Sequence, residues 1–300
     1  MTFAYKVKTE LCSVEPSSEC CKKAEMYGFL LYGRMFSKTG ISVQTEHFEV
    51  AVSMAKLLSN LFDIEPAQKT SRRADGRITD CISIENESKI SYIFDSFGHG
   101  NNKVALRINR ANIENECCSS SFLKGVFLSC GSIVDPEKDY HLEFVSSHLR
   151  LGQDFADYLS ELGFEPKTIV RKGNFVVYLK DSEQIEDILT LMGAVHCSLE
   201  LMNIKVYKDL RNKVNRVTNC ETANITKTVD AAARQLEAIN KLTGKKGYGC
   251  LPEELREIAK LRLDNPDASL SELAKMAGIS RSGVNHRLQR ILNLAEKATV

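Results

Sequence analysis

The sequence predicts an α+β, multidomain protein: a pseudo-twofold duplicated αββαββα unit followed by an all-α C-terminal part. Three observations carry that expectation. One stretch is written twice, 97 residues apart, with Glu19-Cys20-Cys21 returning as Glu116-Cys117-Cys118, Gly28 as Gly125 and Leu31 as Leu128. Further on, Glu46-His47-Phe48 leads to Leu61-Phe62-Asp63-Ile64-Glu65-Pro66, and Ser147-His148-Leu149 leads to Leu162-Gly163-Phe164-Glu165-Pro166. A period this long is not a solenoid, and two copies of one small module make a pseudo-symmetric domain. Within each copy, helical and alternating apolar patterns follow one another in the same order. From about residue 203 the texture becomes all-helical and the charge changes sign. Residues 1–200 hold 22 Lys+Arg against 28 Asp+Glu, a net of −6, and residues 201–300 hold 18 against 11, a net of +7.

In the first copy the leading helix is expected over 18–33, with Ser17 or Ser18 as its cap. A strand follows over 40–49, then an amphipathic helix over 54–62 that ends before Pro66. Residues 69–73 and 78–85 form a hairpin across Asp75-Gly76, and 89–97 is a further helix ended by Gly98. The second copy repeats the order, with helices over 119–129, 152–162 and 183–192. Its strands are expected over 140–146, 168–171 and 175–179, the last two joined across Lys172-Gly173-Asn174. Gly28 and Gly125 sit inside apolar helices, where glycine costs about 1 kcal/mol relative to alanine. Such a cost is tolerated where two backbones must approach closely, so the two leading helices are expected to pack on each other along the pseudo-twofold axis. The domain boundaries are set at 1–109 for an N-terminal arm and first half, 110–202 for the second half and 203–300 for the helical remainder.

Composition bounds the function. No run approaches the roughly 18 apolar residues of a membrane span, so no membrane partner is expected. Ten cysteines without a secretion-type N-terminus point to free thiols in a reducing cytoplasm. There is no C-x-x-C and no H-x-x-x-H spacing. The Cys-Cys pairs therefore read as small side chains at helix starts, and neither a metal nor a cofactor is expected. The basic character of 201–300 suggests that this part meets a polyanion.

Beyond 203, Val206, Leu210, Val214 and Val217 give one helix face, and Ile225, Val229, Ala232, Leu236 and Ile239 give a second helix, ended by Gly244. Residues 244–249 make a basic connection, Pro252 starts a helix and Asn265-Pro266 stops it. Ser269-Leu270-Ser271-Glu272 is a capping box opening a short helix over 270–277. Gly278 makes the turn, and Ser280 caps a last helix that runs to about Ala295. Small Ala274 lets the two helices cross, Gly278 permits a left-handed turn and Val284 fills the angle between them; this is the helix-turn-helix pattern. Val284, Leu288, Ile291 and Leu292 face inward. The N-terminal residues of the second helix reach base edges in this motif, which makes Arg281, Ser282, Asn285 and His286 the best candidates. Ser280 and Gln289 share that surface, and Lys275, Arg287 and Arg290 are placed to touch phosphate.

At this point the residues match known families. The repeated helices, 27–33 and 124–131, resemble the LAGLIDADG helix of homing endonucleases, pseudo-symmetric proteins that lay two saddle-like sheets on DNA. Over essentially its full length the chain resembles the bacterial WhiA regulators. Three stretches carry this: Phe122–Leu128 with Gly131–Pro136, Asn219-Cys220-Glu221-Thr222-Ala223-Asn224, and Ser280-Arg281-Ser282-Gly283-Val284-Asn285-His286-Arg287-Leu288. The resemblance implies a transcription regulator of Gram-positive bacteria, linked to sporulation in filamentous species and to cell division or chromosome segregation more widely, that binds double-stranded DNA at the nucleoid. Active LAGLIDADG enzymes place one carboxylate at the end of each motif helix, and the pair holds divalent ions. Here those positions are Gly33 and Cys130. Asp135 follows the second helix, but residues 34–38 hold no acid. No catalytic residue is therefore assigned, and the expectation is a protein that is not an enzyme. Basic clusters at Lys69, Arg72, Arg73 and Arg77, at Lys103, Arg107 and Arg110, and at Arg171-Lys172 offer secondary DNA contacts, those of Arg72, Arg73, Arg77, Arg171 and Lys172 lying on hairpins. A lone helix-turn-helix reads few base pairs, so a second contact is expected from self-association, the N-terminal saddle or RNA polymerase. A factor that works mainly through protein contacts is the alternative.

Overall fold

Each copy of the repeat folds in the expected order of helix, two strands, helix, two strands, helix. The structure is a computed structural model that describes residues 2–72, 76, 78–99, 106–244 and 247–298. The first copy runs α2 (Glu19–Leu31), β1 (Met35–Ser37), β2 (Gly40–Thr45), α3 (Phe48–Phe62), β3 (Ala67–Arg72), β4 (Ile78–Ile84) and α4 (Glu87–Ser96). The second runs α5 (Glu116–Cys130), β5 (Gly131–Ile133), β6 (Leu142–Ser146), α6 (Leu149–Glu161), β7 (Lys167–Arg171), β8 (Asn174–Leu179) and α7 (Ser182–Met192). The segment before α2, expected only as an arm, is a helix. In α1 (Phe3–Ser13) the Thr2 hydroxyl accepts from the Tyr5 N–H, and Phe3, Val7 and Leu11 form a buried stripe at helical spacing.

Both sheets are antiparallel and four-stranded, in the orders β1-β2-β4-β3 and β5-β6-β8-β7. Alternation sets their inner faces. Ile41, Val43 and Thr45 of β2 and Leu142, Phe144 and Ser146 of β6 point inward, with Val43 opposite Ile82 and Phe144 opposite Val177. Helix α3 packs on β2 and β4, and α6 packs on β6 and β8. The edge strands β3 and β7 are almost wholly exposed. The β7–β8 hairpin turns on two residues, Lys172 (φ 51°) and Gly173 (φ 80°), because two left-handed residues match the twist of the flanking strands. In the β3–β4 connection Gly76 has φ 84°; Arg73, Asp75 and Arg77 lie outside the described residues.

Helices α2 and α5 hold the halves together. Residue pairs in contact keep nearly the same spacing as the sequence repeat, so the two helices run parallel. A Cβ on Gly28 would sit 2.5 Å from the Phe122 carbonyl oxygen, and one on Gly125 would sit 2.0 Å from that of Glu25. Backbone cannot yield at such distances, which is why only glycine fits at the crossing. Beside it, Lys124 and Glu25 form a buried ion pair at 3.0 Å. One continuous hydrophobic core, from Phe3 to Leu201, spans both halves.

The chain divides into two units, Met1–Lys208 and Asp209–Val300. The division falls inside α8 (Val195–Thr243), a single helix of 49 residues where the sequence suggested two. No glycine or proline occurs in it, and its apolar residues stay in phase across Glu221. Val206, Leu210, Val214 and Val217, read as one apolar helix face, are exposed on it, as are Ile225 and Val229 of the second. The second unit adds α9 (Glu253–Asp264), α10 (Leu270–Ala277) and α11 (Arg281–Lys297) around a separate core built on Ile239, Leu255, Ile258, Leu273, Val284, Leu288 and Ile291.

Candidate nucleic-acid interface

Local chemistry sets the geometry of α10 and α11. The Ser269 hydroxyl accepts from the Glu272 N–H at 3.3 Å, and the Ser269 N–H donates to the Glu272 carboxylate at 2.7 Å. These bonds hold the Glu272 carboxyl below its ordinary value, mainly through the backbone N–H. Helix α10 ends at Gly278, whose φ of 65° is left-handed. The Ser280 hydroxyl then accepts from the Gly283 N–H at 3.1 Å and starts α11. Ala274 is buried where the helices cross, and Val284, Leu288 and Ile291 are fully buried beneath α11. The buried Arg262 guanidinium donates to the carbonyls of Pro266 (3.3 Å) and Ala268 (2.6 Å), fastening the loop that presents α10.

The outward face of α11 carries Arg281, Ser282, Asn285, His286 and Gln289, all exposed, with Arg287 half-buried at its side. The first turn of α11 holds no acidic residue, so its positive dipole end is open to anions. Lys275 is exposed on α10. Arg290 is turned to the flank, where it pairs with Glu254 of α9 at 2.8 Å. Two residues the sequence reading passed over lie near Arg281: Lys227 of α8 and Ser271 of α10 line one groove of about 230 Å³ with it. Lys227 could not be found from the motif because it lies more than 50 residues before Arg281, on a helix whose polar residues look uniformly solvated.

Several of the first-unit cations expected to touch DNA are already paired with acids. Arg72 and Lys172 are exposed on their hairpins. Arg171 pairs with Glu143 at 3.0 Å, Lys69 with Glu85 at 2.6 Å, Arg107 with Asp154 at 2.6 Å and Arg110 with Glu161 at 3.0 Å. Arg73, Arg77 and Lys103 lie outside the described residues.

The C-terminal ends of α2 and α5, where an endonuclease would hold Mg²⁺, carry a different chemistry. Gly33 offers no ligand. Burial pushes the Cys130 thiol up to about 12, so it stays protonated. Lys8 of α1 reaches in, buried, and donates to the Leu128 carbonyl at 3.3 Å. Asp135 is exposed, and its carboxylate accepts from the Glu137 N–H in a turn. Mg²⁺ wants several oxygen ligands, and a thiol, a glycine and an ammonium do not supply them. These residues do not fit the ion.

Comparison with known proteins agrees with this layout. Residues 119–211 match the family described as WhiA LAGLIDADG-like domain, and residues 214–295 match WhiA C-terminal HTH domain. Proteins named "Probable cell division protein WhiA" match end to end. That of Ruminiclostridium cellulolyticum is 39% identical over 306 residues, and that of Alkaliphilus metalliredigens 36% over 311, each alignment covering 99% of this chain and 98% of the other. This chain belongs to the WhiA family. The crystal structure of full-length WhiA from Thermotoga maritima has the same fold, with a TM-score of 0.60 at 24% identity and 99% of both chains covered. The WhiA architecture thus joins the glycine-crossed double unit to the helix-turn-helix of α10 and α11. Among the described residues, no helix is long and apolar enough to cross a membrane.

Proposed function

We propose that this WhiA-family protein is a sequence-specific, non-enzymatic transcription regulator that reads double-stranded DNA with α11, acting at the nucleoid in cell division, chromosome segregation or sporulation. The observation that carries the reading is the division of α11 into two faces. One face is committed to the core through Val284, Leu288 and Ile291, and the other leaves Arg281, Ser282, Asn285 and His286 exposed around an acid-free helix start. Guanidinium, amide, hydroxyl and imidazole groups suit base edges, and a helix in this position enters the major groove by its N-terminal residues. Ser280 spends its hydroxyl on the cap. Lys275, Arg287, Lys227 and, once free of Glu254, Arg290 serve phosphates. Arg72, Arg171 and Lys172 are secondary contacts, with Arg171 first giving up Glu143.

The test uses the full chain and its genomic binding sites, found by mapping bound DNA in cells. Arg281→Ala and His286→Ala should each weaken specific binding by about 1–3 kcal/mol. Lys275→Ala should weaken specific and non-specific binding alike and reduce the salt slope by about one. Magnesium-dependent cutting of duplex DNA, or unchanged affinity in the Arg281→Ala, His286→Ala double variant, would overturn the reading. A second reading, a division factor that works through protein contacts, draws on the exposed Leu210, Val214, Val217, Ile225 and Val229 of α8. It predicts that the recognition-helix variants keep their cellular role.

A further inference from the structure

The four cysteines of the repeated Glu-Cys-Cys motif are absent from every role described so far, yet they meet. Cys20 and Cys21 lie in the first turn of α2, and Cys117 and Cys118 lie in the first turn of α5. Because these helices pack in parallel, their N-termini arrive at the same end of the crossing, opposite Gly33 and Cys130. All four Sγ atoms lie within 4.8 Å of one another. Cys20 and Cys117 are 3.8 Å apart. A tetrahedron with Zn–S bonds of about 2.3 Å has S···S edges of about 3.8 Å.

We propose that Cys20, Cys21, Cys117 and Cys118 form a tetrathiolate Zn²⁺ site on the pseudo-twofold axis, clamping the two halves of the duplicated unit. Four protein ligands leave no open position, so the site is structural. The spacing within the chain looked wrong for zinc because each helix contributes adjacent cysteines rather than a C-x-x-C. Symmetry removes that objection, since half the ligands come from each copy. The donor set selects a soft-tolerant ion of tetrahedral habit over Mg²⁺ or Ca²⁺. The span of the sulfurs is also too small for a cubane cluster, whose ligands sit around four irons instead of one ion.

The surroundings suit four thiolates and one dication. Two helix N-termini converge on the cluster, and their dipoles favour the net negative charge. Ser18 Oγ lies 3.0 Å from Cys20 Sγ and Ser17 Oγ lies 3.5 Å from Cys21 Sγ, positions from which hydroxyls can donate to the sulfurs and orient them. Cys21 and Cys118 are buried, whereas Cys20 is half-buried and Cys117 exposed. The ion therefore has an entry path from solvent. Binding releases the thiol protons to water and involves no change of oxidation state.

The test uses the full-length protein, prepared with reductant and without chelator. It should carry about one zinc per chain by elemental analysis. After metal removal, Co²⁺ should bind with one equivalent and give thiolate-to-metal charge transfer together with the intense visible bands of a four-coordinate site. Zn²⁺ should displace it and protect four thiols from a thiol reagent. Cys20→Ser with Cys117→Ser should abolish the cobalt spectrum, whereas Cys220→Ser, at an exposed cysteine of α8, should leave it intact. Chelator should lower the melting temperature of the wild type and leave that of the double variant unmoved. The wild-type cobalt titration decides the matter even if the double variant does not fold. Absence of a four-coordinate spectrum, unprotected thiols in excess zinc, or a Cys20–Cys117 disulfide in reductant would overturn the proposal.

Discussion

Lys8 shows how one side chain can alter what a fold can do. Its ammonium is buried near Cys130, Cys12 and Glu46, and desolvation lowers its pKa to about 8, partly opposed by those groups. In the unfolded chain it titrates near 10.5. The folded state therefore bears the cost of the buried charge at all pH values below about 8, and the cost fades as pH rises toward 10.5. Lys8→Met should raise the melting temperature at pH 7, and its advantage over the wild type should shrink between pH 8 and 10.5. A constant difference across that range would show that Lys8 is not a buried cation. Nothing in the local sequence marks this lysine, because it follows Val7 in an ordinary amphipathic helix. Its burial comes from α5, more than a hundred residues away. The absence of carboxylates at Gly33 and Cys130 was legible, because the repeat aligns those positions directly. Which group fills the space they leave was not.

At the scale of elements, caps and turns were the most legible features. The Ser269 capping box and the Gly278 turn are local hydrogen-bond and backbone demands, and both form as the residues require. A Cβ on Gly278 would meet nothing within 4 Å, so its value lies in the backbone alone. Gly278→Ala should then destabilise the second unit by about 1–2 kcal/mol. Gly278→Asn should cost less, because asparagine tolerates the left-handed region. Thermal melts of the full chain check both, and equal losses in the two variants would point to side-chain crowding. The three-residue strands β1 and β5 were not legible as separate strands, since so short a run shows no alternation. Helix α8 was divided too early because Glu221 interrupts its apolar stripe. The stripe keeps its phase on either side, and without a glycine or proline nothing stops the helix.

For the whole molecule, the two hydrophobic cores share no residue. Units with separate cores unfold as separate cooperative steps. Calorimetry of the full chain should resolve two transitions, and Leu288→Ala should lower one of them by about 2–5 kcal/mol while leaving the other in place. A single transition that shifts as a whole would refute this independence. The sequence by itself determined the duplication, the order of elements in each copy, the helix-turn-helix and the loss of paired acids. All of these follow from residues close in the chain, or from comparing one copy with the other. Tertiary structure alone decided that Arg107, Arg110 and Arg171 are paired with acids, that Lys227 shares a groove with Arg281, and that two unremarkable Cys-Cys pairs become one cluster of four thiols. The physical reason is that hydrophobic period and capping encode local conformation. Which distant side chains meet is set by the parallel crossing of α2 and α5, where two glycines let the backbones touch.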